Sequence, residues 1–225
     1  MQKISSYISI ISLLLVINLP LRAEETEPAD SIPLWNGLRL ELDVASPLFH
    51  VLQIEPSQSI EGGVYLNLKQ RYLPLLEMGF AGLSNKISPQ HSVFSADGLF
   101  FRTGLDINLL NAKKKASNRN LVVAGFRVGA SSFSYDLRHV LIEDKYWQEK
   151  RSMDYLDVQV FRWWFEALLG MKVEVFRNVY LGWNIRSKFL LKEEEPGSIH
   201  PYFIPGYGLA RSGNWAFNYT IAYSF

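Results

Sequence analysis

Residues 161–175 read FRWWFEALLGMKVEV. Phe161, Trp163, Phe165, Ala167, Leu169, Met171, Val173 and Val175 fall on one parity, and Arg162, Glu166, Gly170, Lys172 and Glu174 on the other. A strand sends successive side chains to opposite faces, so this stretch reads as a long strand with an apolar and a charged face; a helix would mix the two sets. After Arg177-Asn178, where Asn tolerates the positive φ of a tight turn, the pattern resumes. Val179, Leu181, Trp183, Ile185 and Phe189 oppose Tyr180, Gly182, Asn184, Arg186 and Lys188. This predicts a hairpin.

Working outward, the same alternation recurs. Leu38, Leu40, Leu42 and Val44 oppose Arg39, Glu41 and Asp43; Ile60, Val64, Leu66 and Leu68 oppose Glu61, Tyr65, Asn67 and Lys69. Tyr72, Leu76, Met78 and Phe80 oppose Glu77, Gly79 and Ala81, although Leu73 and Leu75 blur the start and Pro74 suits a strand end. Leu99, Phe101, Leu105, Ile107 and Leu109 oppose Arg102, Gly104, Asp106 and Asn108, and Val122, Phe126 and Val128 oppose Gly125, Arg127, Gly129 and Ser131. Last, Trp215, Phe217, Tyr219, Ile221, Tyr223 and Phe225 oppose Asn218, Thr220 and Ser224. The expectation is eight strands.

Connection lengths alternate. Gln70-Arg71 and Arg177-Asn178 are short and Asn111 to Asn120 intermediate, whereas residues 46–59, 84–97, 135–158 and 191–213 read as long loops. Short turns on one side and long loops on the other are the habit of membrane barrels, with the turns periplasmic. A soluble eight-stranded carrier of the lipocalin type would show the same alternation with its apolar face inward. Aromatics near strand ends (Tyr72, Phe161, Trp163, Trp215, Tyr223), glycines on the polar parity and an aromatic last strand favour the membrane version. The expected fold is thus an all-β, eight-stranded antiparallel transmembrane barrel over residues 37–225.

Composition agrees with this. Apolar residues make up 48% of the 225, yet no internal run approaches the ~20 that a membrane helix needs. Lys plus Arg number 23 against 22 Asp plus Glu, which gives no basic field for nucleic acid. Cysteine is absent, which excludes disulfides, thiolate chemistry and a lipid-bearing cysteine. Lys3, the apolar run Ile8 to Leu19 and Leu21-Arg22-Ala23 before Glu24 read as a cleaved signal peptide over residues 1–23, with residues 24–36 an acidic, proline-containing periplasmic lead-in.

An eight-stranded interior is only wide enough for side chains to fill it. On this parity it holds Arg39, Lys69, Arg102, Arg127, Arg162, Lys172, Arg186 and Lys188 with Glu41, Asp43, Glu61, Glu77, Asp106, Glu166 and Glu174. Near-equal charge suggests a paired network rather than a proton path or acid/base chemistry. His50, His91, His139 and His200 fall one in each long loop without metal-ligand spacing, so no metal or other cofactor is expected. A lipid-modifying enzyme would need His and Ser near the outer interface; His91-Ser92 and Ser198 with His200 are the candidates, lacking an evident oxyanion hole or orienting acid. Tyr135, Tyr146 and Trp147, among charged neighbours, suggest a contact loop for a protein, glycan or lipid head group.

Asn67-Leu68-Lys69 with Glu77-Met78-Gly79, Gly104-Leu105-Asp106-Ile107-Asn108 and Ile204-Pro205-Gly206-Tyr207-Gly208 resemble an uncharacterised family of small outer-membrane barrels of Bacteroidota. The run Tyr219, Ile221, Tyr223, Phe225 resembles the recognition strand of outer-membrane proteins, which implies handling by the barrel-assembly machinery and outer-membrane lipid as surroundings. No activity comes with the resemblance.

Overall fold

The computed structural model describes residues 33–51, 57–87, 92–110, 120–143, 150–191 and 200–225. The expected signal segment, most of the expected lead-in, His91, Tyr146, Trp147 and Ser198 lie outside them. The elements are β1 (Trp35–Asp43), α1 (Ala45–Val51), β2 (Ser57–Leu68), β3 (Tyr72–Ile87), β4 (Ser92–Asn108), β5 (Asn120–Glu143), β6 (Lys150–Phe176), β7 (Val179–Leu190), the two-residue β8 (Phe203–Ile204) and β9 (Gly208–Leu209), and β10 (Gly213–Ser224). Strands β1 to β7 and β10 form one closed barrel in which each pairs antiparallel with its sequence neighbours and β10 closes on β1. The small hairpin β8–β9 stands apart from the ring.

The eight alternating segments are the eight barrel strands, but several boundaries move. β3 runs to Ile87 and β4 starts at Ser92, so most of the expected loop 84–97 is strand. β5 and β6 extend to Glu143 and from Lys150, so most of the expected loop 135–158 is a hairpin carried past the rest of the ring. The expected loop 46–59 contains α1 and the start of β2, and β1 begins at Trp35 rather than after residue 36. Pro74 sits inside β3 opposite Leu105.

Alternation sorts the side chains as the parities require. Leu40, Ile60, Met78, Phe101, Leu169, Trp183, Phe217 and Ile221 point out and are exposed, while Glu41, Glu77, Arg102, Arg127, Glu166 and Arg186 point in and are buried. The inside is narrow. At Gly129 a Cβ would stand 2.4 Å from the Trp164 ring, so glycine there makes room for the indole.

The interior is layered. Toward the short-turn end, Tyr65, Leu73, Leu75, Leu121, Val123 and Leu168 form an apolar layer. Charged side chains occupy the middle. Toward the other end, Phe94, Phe100, Phe133, Tyr135 and Trp164 pack with Phe203, Ile204 and Tyr207 of the β8–β9 segment, which folds back into the barrel mouth.

Candidate functional site

Alternation on seven strands, β1 to β7, delivers the charged layer. Among the described residues seven buried cations, Arg39, Arg102, Arg127, Arg162, Lys172, Arg186 and Lys188, share the inside with six buried carboxylates, Glu41, Asp43, Glu61, Glu77, Asp106 and Glu166. Glu77 of β3 is the hub: it faces Arg102 at 3.3 Å, Arg127 at 3.1 Å and Arg186 at 3.1 Å, and accepts the Tyr65 hydroxyl at 2.5 Å. Arg102 also meets Glu61 at 2.8 Å and Glu166 at 2.9 Å. Arg127 reaches Asp106 at 3.2 Å, and Lys172 pairs with Glu41. A ring of guanidiniums around shared carboxylates offsets the cost of removing each charge from water, provided no member is lost.

Two residues expected in this network are elsewhere. Lys69 is exposed in the β2–β3 turn at φ +50°, because the turn ends the alternation one residue earlier than the sequence parity suggests. Glu174 lies at the rim, where it accepts the Asn178 backbone N–H at 3.0 Å across the β6–β7 turn. Arg39 joins the layer by stacking its guanidinium 4.3 Å from the Tyr180 ring.

The β8–β9 hairpin ties the aromatic layer to the charges. The Gly206 carbonyl accepts hydrogen bonds from Arg102 at 2.8 Å and Lys188 at 2.7 Å. Gly206 has φ +78°, and a Cβ there would stand 2.4 Å from the Phe100 ring. Glycine is required both for the backbone conformation and for the approach. The Ile204 to Gly208 motif is therefore an internal plug.

Above the charges lies a cavity of about 390 Å³. Glu61, Arg102 and Lys188 are its charged walls, Ser57, Ser59 and Asn218 its neutral polar ones, and Leu83, Phe203 and Leu209 part of its apolar lining. This cavity was not legible in the sequence, since it depends on where β1 stops.

The expected loop sites come apart. Tyr135 is 2% exposed, on the inner face of β5, its ring 5.7 Å from Phe94; it is a core residue of the barrel mouth and not a loop anchor. Ser92 opens β4 opposite Ile87, and His200 is exposed ahead of β8. His50 sits on α1 hydrogen-bonded to Gln58 at 2.8 Å, and His139 lies within β5. Tyr219, Ile221, Tyr223 and Phe225 share the exposed outer face of β10 and its end, the last two rings in edge contact at 4.8 Å.

Fold and interior define a class: an antiparallel eight-stranded closed barrel with an apolar exterior, a charge-filled centre and a plugged mouth. The chain belongs to the family described as a domain of unknown function, DUF6048, whose model matches residues 3–225. Comparison with curated proteins gives no match.

Proposed function

We propose that the protein is an outer-membrane barrel of a Gram-negative envelope, exported by a signal peptide over residues 1–23, and that it acts as a structural or binding barrel through its loop end rather than as an enzyme. The observation that carries this is the inversion of the usual polarity. Among the described residues large apolar side chains cover the outside while thirteen charged ones are buried within. Water would penalise such an exterior, whereas hydrocarbon would match it, and closure satisfies the strand backbones without an edge. A soluble lipid carrier needs the reverse, an apolar interior able to hold its cargo. Assembly would use the exposed aromatic stripe Tyr219 to Phe225, which flanks the closing β1–β10 ladder.

The alternative of a lipid-modifying enzyme would rest on His91, Ser92, Ser198 and His200, of which Ser92 opens β4 opposite Ile87 and His200 precedes β8, while His91 and Ser198 lie outside the described residues. Cysteines placed singly at Met153 and Arg211, exposed at the loop end, should react with an impermeant thiol reagent on intact cells, and cysteines at Lys69 and Asn178 should not. The folded barrel should also fractionate with outer membranes and shift its gel mobility on heating. Recovery in the soluble periplasmic fraction, with all four sites protected, would overturn the membrane reading. Lipopolysaccharide deacylation or acyl transfer by the purified barrel would instead establish the enzyme.

A further inference from the structure

The barrel wall has a seam. β1 has only nine residues and pairs with β10 from Arg39↔Ser224 to Asp43↔Thr220, and with β2 as far as Leu42↔Gly62. Beyond that level β10 continues back to Gly213 and β2 to Ser57, and among the described residues no strand joins them. Instead the chain turns at Asp43, whose carboxylate accepts the Ala45 N–H at 3.0 Å and the Ser46 hydroxyl at 2.9 Å, into α1, which packs on both β2 and β10.

Tyr219 accepts the Val44 N–H through its carbonyl at 2.9 Å and turns its own N–H to Asp43 at 3.3 Å, so odd-numbered residues of β10 aim their backbone groups at this side. Phe217 and Trp215 continue that set past the last β1 partner. The cavity reaches the seam: five consecutive residues, Asn214 to Asn218, border it, where a fully paired strand would present only alternate ones. Outside, the seam is flanked by apolar side chains, Trp215 (78% exposed), Phe217, Ile60 and Leu48.

We propose that the cavity and seam form a binding site for a single-chain amphiphile with one negative charge, its head beside Lys188 and its acyl chain leaving between β2 and β10 onto the apolar exterior. Four features carry this. Among the described residues the interior as a whole holds seven buried cations against six buried carboxylates, one cation in excess. Arg102 is surrounded by Glu61, Glu77, Glu166 and the Gly206 carbonyl, whereas the ammonium of Lys188, across the ladder from Glu166, makes one hydrogen bond among the described residues, to that same carbonyl, and has further N–H groups to donate. The volume would take about a dozen waters, enough for a carboxylate or phosphate head and the start of a chain. The apolar flanks outside suit methylene groups and offer nothing to a polar solute. A long-chain fatty acid and an anionic lysophospholipid share this chemistry.

The site rests on the membrane reading, and the test keeps the two separate. Full-length barrel, shown folded by heat-modifiable mobility and recovered from outer membranes, is released from neutral detergent into the mass spectrometer with palmitate, lysophosphatidylglycerol or hexadecanol. A one-to-one adduct with palmitate, lysophosphatidylglycerol or both is expected, and whichever binds identifies the source. Lys188→Met should weaken it at least about tenfold through loss of a charge-assisted bond. Ala216→Trp and Ser59→Trp, which fill the cavity, should abolish it. In the unmutated barrel the same ligand should slow deuterium exchange at the Trp215 and Phe217 amides, a readout that does not depend on a variant folding. Absence of any adduct on a membrane-inserted barrel overturns the site and leaves the membrane reading intact. So does hexadecanol binding as tightly as the anions, or a dimer in which a second copy protects those two amides without lipid. Failure to fractionate with membranes would refute the membrane reading on its own evidence.

Discussion

Glu77, 3% exposed, touches three guanidiniums and a tyrosine hydroxyl inside the barrel. Taking away its charge leaves Arg102, Arg127 and Arg186 facing one another with one compensating partner fewer. Glu77→Gln should therefore destabilise the barrel by about 3–5 kcal/mol, read as a lower urea midpoint for the heat-modifiable band. Lys69→Gln, on the exposed β2–β3 turn, should stay within about 0.5 kcal/mol of the parent. Similar midpoints for the two would mean that the inner charges are not mutually dependent. The same scale shows how much the sequence disclosed: of fifteen charged residues on the inward parity thirteen are buried, while Glu174 lies at the rim and Lys69 leaves the strand although its sequence position still fits the alternation. Gly206 carries its own expectation. With φ +78° and Phe100 against it, Gly206→Ala should cost on the order of 1–3 kcal/mol and loosen the β8–β9 plug, seen as faster proteolysis between residues 200 and 212 in an otherwise folded barrel.

Strand boundaries were harder to read than strands, for a reason visible in the layers. Leu73, Leu75, Leu121 and Val123 at one end, and Ala81, Leu83, Phe94, Ala96, Phe133 and Tyr135 at the other, occupy the inward parity but are apolar. Where the interior changes from charged to apolar, both faces of a strand carry similar residues and the period of two disappears. Thus the start of β3 looked blurred and Tyr135 looked like a loop residue, although each continues its strand in register. The hairpin extension of β5 and β6 is irregular for a different reason. Its pairing shifts between Tyr135 and Leu137, and Asp157 at φ +50° gives its N–H to Asp136 at 2.9 Å. That backbone hydrogen bond, helped by the Arg138 side chain at 3.0 Å, holds the Asp136 carboxyl below the ordinary aspartate range. A carboxyl whose pKa falls on folding contributes stability above its unfolded value of about 3.9 and loses it as pH drops through the folded value. Acidification below about pH 4 should therefore speed deuterium exchange at the Asp157 amide beyond the intrinsic acid dependence, and Asp136→Asn should show the faster exchange already at neutral pH. No change in either would remove the aspartate from its role in fixing the bulge.

For the whole molecule, an apolar layer lies on each side of the charged one, and the plug closes the mouth with Phe203, Ile204 and Tyr207. Ions would have to cross both apolar layers. Reconstituted in planar bilayers, the barrel should give no discrete current steps, and regular steps would overturn the filled-interior description. Its outside makes a complementary demand. Arginine at Leu169 or Phe217, both exposed on the apolar face, should cost about 2–4 kcal/mol and impair insertion, while Lys172→Gln should chiefly unsettle its partner Glu41. Harmless arginines would argue that this surface never meets hydrocarbon. The ring order and the charge-filled centre followed from alternation and an even strand count. The inward hairpin did not, since nothing local tells a chain segment to fold into a mouth that distant strands create.

One further property follows from the shortness of β1. Its nine residues join the ring between β2 and β10, of 12 residues each, whereas β5 and β6 on the far side have 24 and 27. Hydrogen bonds in a ladder share a sideways load in proportion to their number, so the ring's resistance is unequal around its circumference. Stretched between tethers, such a cylinder would tear along one line, the β1 border, and peel open stave by stave toward the long central hairpin, which would be the last piece to yield.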